Sequence, residues 1–133
     1  MNAKRAFLAV VVLMTGSLAQ AQPQFTGGNR PVMLRPADGL DPCSLGEITG
    51  AGEGAIMVFP GDTTTLDAVD YLSDGDKVWL CDGDEGGDMV GIVYSPNPDL
   101  DCEVGSPVTQ ELMYTGLCQS GWIRSEWVRV VAG

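Results

Sequence analysis

The chain has 133 residues, eighteen acids against seven lysines and arginines, four cysteines and no histidine. Without histidine, Ser-His-Asp, Cys-His and histidine-metal chemistry are excluded. A formal net charge of −11 sets the chain against nucleic acid and anionic membrane surfaces and towards cationic partners, although charge of this sign also serves simple solubility.

The first segment reads as an export signal. Lys4 and Arg5 precede the apolar run Ala6–Met14, and Ala19-Gln20-Ala21 is a small-residue cleavage site. Cleavage after Ala21 leaves 112 residues with five basic side chains against eighteen acids, a count suited to one small soluble domain in the periplasm or outside the cell. In that compartment Cys43, Cys81, Cys102 and Cys118 are expected to form disulfides. Three connectivities exist. The expected one is Cys43–Cys81 with Cys102–Cys118, the second pair closing a short local loop and the first tying an early segment to a central hairpin. Each bridge is worth about 3–4 kcal/mol by loop entropy. With no C-x-x-C pair and no histidine, no metal or other cofactor is expected.

Residues 22–42 are polar and punctuated by Gly27, Gly28, Pro31, Pro36 and Gly39, which predicts a flexible leader with at most a short extended piece at Val32–Leu34. Cys43–Gly54 is glycine-rich, with Leu45 and Ile48 as its apolar points. Ala55–Phe59 is a short strand, stopped by Pro60-Gly61-Asp62. Leu66, Val69 and Leu72 recur every three residues, but the β-branched and aromatic content favours a strand or irregular segment over a helical turn. After the turn at Ser73–Asp76 comes the most regular stretch of the chain. In it Val78 and Leu80 alternate with Lys77, Trp79 and Cys81, and the apolar arm Met89–Tyr94 follows. These are two arms of a hairpin whose tip, Asp82–Asp88, is glycine-rich and acidic.

Ser95-Pro96-Asn97-Pro98 breaks the second arm, and Asp99–Thr115 reads as a long loop ordered by its disulfide. Gly121-Trp122-Ile123 begins a strand, Ser125-Glu126-Trp127 a single helical turn, and Val128–Val131 a last strand with Arg129 pointing out. Five or six short strands separated by turns predict an all-β fold, a small barrel or sandwich.

Gly121–Val131, GWIRSEWVRVV, resembles the closing segment of bacterial SH3-like domains, where a Gly-Trp strand runs into one helical turn, an aromatic and a short final strand. Val58, Gly61, Leu66, Val69, Leu72, Gly75 and Val78 fall at places matching that family's opening segment, and Gly91–Tyr94 resembles its next strand. The cysteine pattern is similar to exported members with a cysteine-bounded insertion. Over 43–133 the resemblance implies a disulfide-stabilised SH3-like barrel that binds a cell-wall peptide or another extracellular ligand. Three places depart from the pattern: Phe59-Pro60-Gly61 replaces a Gly-Pro-Gly turn, Leu66 an aromatic and Met89 a tryptophan.

Candidate sites follow from residue type. Trp79, Tyr94 and Trp127 are the expected ligand platform, since aromatics grip peptides at low entropic cost. Tyr94 is the expected surface member, at the end of its strand beside the prolines, while Trp122 is expected in the core. The acidic loop Asp82, Asp84, Glu85 and Asp88 is the second candidate. It does not match an EF-hand, because Gly86 and Val93 occupy ligand positions five and twelve. No spacing among the eighteen acids selects a catalytic pair, so a non-enzymatic role is expected. Two functions compete: a binding module with an aromatic groove near Trp79 and Tyr94, and a small acidic inhibitor or immunity-type protein that blocks a basic exported partner through a projecting acidic loop.

Overall fold

The computed structural model describes residues 29–133. The signal segment 1–21 and residues 22–28 of the expected leader lie outside the described residues. Nine strands follow one another: β1 (Met33–Leu34), β2 (Ser44–Ile48), β3 (Ile56–Val58), β4 (Asp70–Leu72), β5 (Lys77–Gly83), β6 (Met89–Tyr94), β7 (Leu112–Met113), β8 (Gln119–Arg124) and β9 (Val128–Ala132). A single 3₁₀ turn, Ser125–Trp127, joins the last two. The expected hairpin forms β5 and β6. The all-β class and both expected disulfides, Cys43–Cys81 and Cys102–Cys118, are present. The bridges are consistent with an oxidising compartment.

The main sheet is antiparallel, in the order β8-β6-β5-β2-β9. It does not close into a barrel. Two short ribbons, β1-β7 and β3-β4, complete the molecule as separate sheets. The inner strand β2, between β5 and β9, falls in the stretch that reads as glycine-rich in the sequence. Its backbone is nonetheless used on both sides, by β5 and β9, and Gly46 leaves room where a Cβ would stand 3.0 Å from Val128 and 3.1 Å from Leu80. Glu47 stitches the same three strands, accepting from Lys77 at 2.7 Å and Arg129 at 3.3 Å.

Both faces of the sheet are covered over β6, which explains why that strand is apolar almost throughout. On one face Ile92, Tyr94 and Ile123 pack with Ile56, Val58 and Leu72 of the β3-β4 ribbon. On the other, Met89, Val93 and Trp122 pack with Val32, Leu34, Phe59, Tyr114 and the cysteines. The second core corrects the reading of 22–42 as a flexible leader. From residue 29 onward the segment is a strap laid across the sheet. Val32 is 1 % exposed and Leu34 4 %, and Leu34 pairs with Leu112. A two-residue turn at Asp38-Gly39, both with positive φ, then reverses the chain towards β2.

A β-bulge between Leu80 and Asp82 holds the strap down. Strict alternation would turn Asp82 away from the face that Cys81 buries. The extra residue instead puts both side chains inside, Cys81 at 8 % and Asp82 at 8 % exposure. The Asp82 carboxylate accepts the Met33 backbone N–H at 3.0 Å and two Arg35 N–H groups at 3.2 Å. Gly91 makes room for it, since a Cβ there would lie 2.8 Å from Asp82 Cβ. Asp82→Ala strands the Met33 donor and leaves Arg35 paired with Glu111 alone. It is expected to cost about 2–3 kcal/mol, read as a lowered urea midpoint together with faster hydrogen exchange of the Met33 amide.

Candidate functional site

Where β5 begins and β6 ends, a groove of about 800 Å³ opens at the end of the main sheet. Trp79 and Leu45, cross-strand partners on β5 and β2, line one part, and Tyr71, Leu72 and Tyr94 another. The loop Ser95–Pro98 and Leu100 form its wall. Trp79 packs against the strap-side core while Tyr94 belongs to the opposite core, so the groove wraps the sheet's end. The prolines explain the wall. They cannot continue the β6 ladder, and the chain turns there through Asn97, whose side chain accepts the Asp99 N–H at 3.0 Å.

The structure therefore brings together two of the three expected aromatics, with a change of role. Tyr94 is not a surface residue. It is 4 % exposed, its ring is in the core, and its hydroxyl donates to Asp70 Oδ2 at 2.8 Å. Burial, and then the Asp70 carboxylate as acceptor and neighbouring charge, push the phenol well above its ordinary value. The accessible aromatic is Tyr71, 61 % exposed on β4. Alternation on that short strand could have found it, since Leu72 beside it faces inward. Trp127 is elsewhere. It lies over Gly50, where a Cβ would stand 2.9 Å from the ring, and its carbonyl accepts the Thr49 N–H at 2.8 Å. It closes the loop after β2. Tyr114 also serves order: its hydroxyl donates to the Cys102 carbonyl at 2.9 Å and accepts the Cys118 N–H at 3.1 Å, inside the loop closed by that disulfide.

The acidic hairpin loop is rearranged in the same way. Asp82 belongs to the interior, so the tip retains Asp84, Glu85 and Asp88 alone. That tip is docked on the 3₁₀ turn, with Ser125 donating through its N–H to the Asp88 carbonyl at 2.9 Å and through its hydroxyl to the Gly87 carbonyl at 2.6 Å. Beside it, Asp84 and Asp88 share a smaller cleft with Asp62, Arg124 and Glu126. Among the described residues no group of three or more acids or cysteines is arranged to hold a metal ion.

The charges of the groove are specific. Asp70, Asp76 and Lys77 line it. The Lys77 ammonium is 2.7 Å from Glu47, outside the groove, and holds that carboxyl below its ordinary value. Asp70 accepts from Tyr94 and from the Tyr71 N–H, and Asp76 accepts from the Ser73 N–H, all neutral donors. Comparison with known protein families, with curated proteins and with solved structures finds no match.

The raised phenol sets a direction for stability against pH. Unfolded tyrosine ionises near 10, whereas folded Tyr94 keeps its proton to higher pH, so its contribution is complete below about pH 10 and is lost above it. The urea stability of the oxidised protein is expected to fall as pH rises beyond about 10, and Tyr94→Phe is expected to flatten that fall. Absorbance titration of the two proteins identifies the late-ionising phenol that the variant lacks.

Proposed function

We propose that this chain is an exported, non-catalytic binding module of the SH3-like kind, periplasmic or secreted, whose groove takes an extended peptide of the cell wall or of a protein partner. The observation that carries the reading is the groove itself. Partly exposed Trp79, exposed Tyr71, Pro96, Pro98 and buried Tyr94 all line it, the mix of aromatic faces and fixed polar groups that peptide sites use. The run from β8 through a single 3₁₀ turn into β9 adds support, as does the β5-β6-β8 meander, since both follow the order that the resemblance implies. What supports the non-catalytic part of the reading is composition: histidine is absent and all four cysteines are bonded.

A second reading has one observation in its favour. Each basic residue among the described ones, Arg30, Arg35, Lys77, Arg124 and Arg129, is in an ion pair. These pairs engage five acids, leaving thirteen of the eighteen without a cationic partner among the described residues. Such a surface suits an acidic inhibitor of a basic exported protein.

Co-sedimentation of the oxidised protein with purified peptidoglycan across a salt series tests the first reading. Retention is expected to persist at high salt and to fall about tenfold in Trp79→Ala, the loss typical of an aromatic anchor. No retention at any salt removes the cell wall as the source of the peptide. Salt-sensitive capture of a basic protein, indifferent to Trp79→Ala, would favour the inhibitor.

A further inference from the structure

We propose that the groove selects a lysine or arginine side chain carried on an extended peptide, with Asp70 and Asp76 as its anionic anchors. The inference rests on the groove being a peptide site and names what that site recognises. Two carboxylates line the groove, and neither is in an ion pair among the described residues. The one cation of the lining, Lys77, is already satisfied by Glu47. An anionic ligand would therefore meet uncompensated negative charge, and a cationic one would meet charge with no internal competitor.

The carboxylates are also held in place. Asp70 Oδ2 takes the Tyr94 hydroxyl at 2.8 Å and its Oδ1 takes the Tyr71 N–H at 2.8 Å, while Asp76 Oδ2 takes the Ser73 N–H at 2.8 Å. These donors fix orientation without neutralising charge, so a ligand cation does not have to order them on arrival. Trp79 and Tyr71 supply what the rest of a lysine or arginine side chain needs: apolar surface for the methylenes and ring faces for the charged head. The long-range field of a chain at −11 steers the same class of ligand towards the surface.

The test is selection of a phage-displayed library of random peptides on the oxidised protein, followed by titration of synthetic copies of the selected peptides. Enrichment of lysine and arginine is expected among peptides whose binding is lost in Trp79→Ala. Asp70→Asn and Asp76→Asn are each expected to weaken those peptides about fivefold or more and to flatten their salt dependence, whereas Glu53→Gln, an exposed acid outside the groove, leaves them unchanged. Asparagine keeps one acceptor oxygen, for the Tyr94 hydroxyl at position 70 and for the Ser73 N–H at position 76, and a cooperative urea transition establishes that each variant is folded. Trp79-dependent peptides without basic enrichment, or indifferent to both asparagine variants, overturn the cationic anchor and leave the peptide site standing. A selection that yields no Trp79-dependent peptide overturns both.

Discussion

The indole of Trp122 is wholly buried, and three separate stretches of chain meet on it. Its backbone exchanges both hydrogen bonds with Phe59, at 2.7 and 2.8 Å, so the end of β3 is anchored to the edge of the main sheet. Its ring nitrogen donates to the Arg30 carbonyl at 2.8 Å, and the Arg30 guanidinium lies 4.9 Å from the ring centroid. Arg30 in turn pairs with Asp62 in the loop that follows Phe59. The strap, the ribbon and the sheet are thus referred to one side chain, and the second core exists because that side chain is covered. Gly121 beside it permits the approach: a Cβ there would stand 2.5 Å from Val58 and 3.1 Å from the Phe59 carbonyl.

An antiparallel sheet with one wet face needs only one layer over it, and its strands alternate. Here β6 is covered twice, by the β3-β4 ribbon on one side and by the strap and cysteine loop on the other. The consequence falls at the sheet's end. The two layers stop there, and residues from opposite faces, Trp79 and Tyr94, come to line one groove. The groove lies where the two covering layers end, and its position follows from where Pro96 and Pro98 end β6.

Much of this was legible in the residues. Alternation and turn chemistry place the β5-β6 hairpin, the Ser125–Trp127 turn and the last strand, and compartment plus spacing support both disulfides. The departures have physical causes. β2 escapes notice because Ser44, Gly46 and Glu47 carry little strand propensity; tertiary pairing on both edges overrides it. The strap escapes notice because Val32 and Leu34 are two apolar residues among prolines and glycines, too few for any period, and their burial depends on a Trp ninety residues away. Asp82 reads as part of a solvated tip because a bulge, which shifts the inward face by one residue, leaves no mark in the local pattern. Tyr94 reads as a surface residue because the break after it signals the end of a strand and carries no information on depth.

The charge distribution links the fold to its surface. Thirteen acids have no cationic partner among the described residues and repel one another, and self-repulsion of that kind favours the unfolded chain. Two disulfides, spanning 38 and 16 residues, oppose it by restricting that unfolded chain, each by about 3–4 kcal/mol on loop-entropy grounds. The negative surface is thus carried on a frame braced by two disulfides. Where a carboxylate is buried it is paired, as Asp82 is with the partly exposed Arg35. Where it lines the groove it is left unpaired but fixed, and for Asp70 the fixing comes from the core itself. The tyrosine that fills the interior at the end of β6 hands its one polar atom to Asp70, so the packing that holds the sheet also holds the carboxylate. Attraction between unit charges about 4 Å apart rises from about 1 kcal/mol in bulk water to about 4 kcal/mol at the effective dielectric near a protein surface. A carboxylate fixed beside apolar walls can therefore discriminate by charge far better than the thirteen-acid surface as a whole.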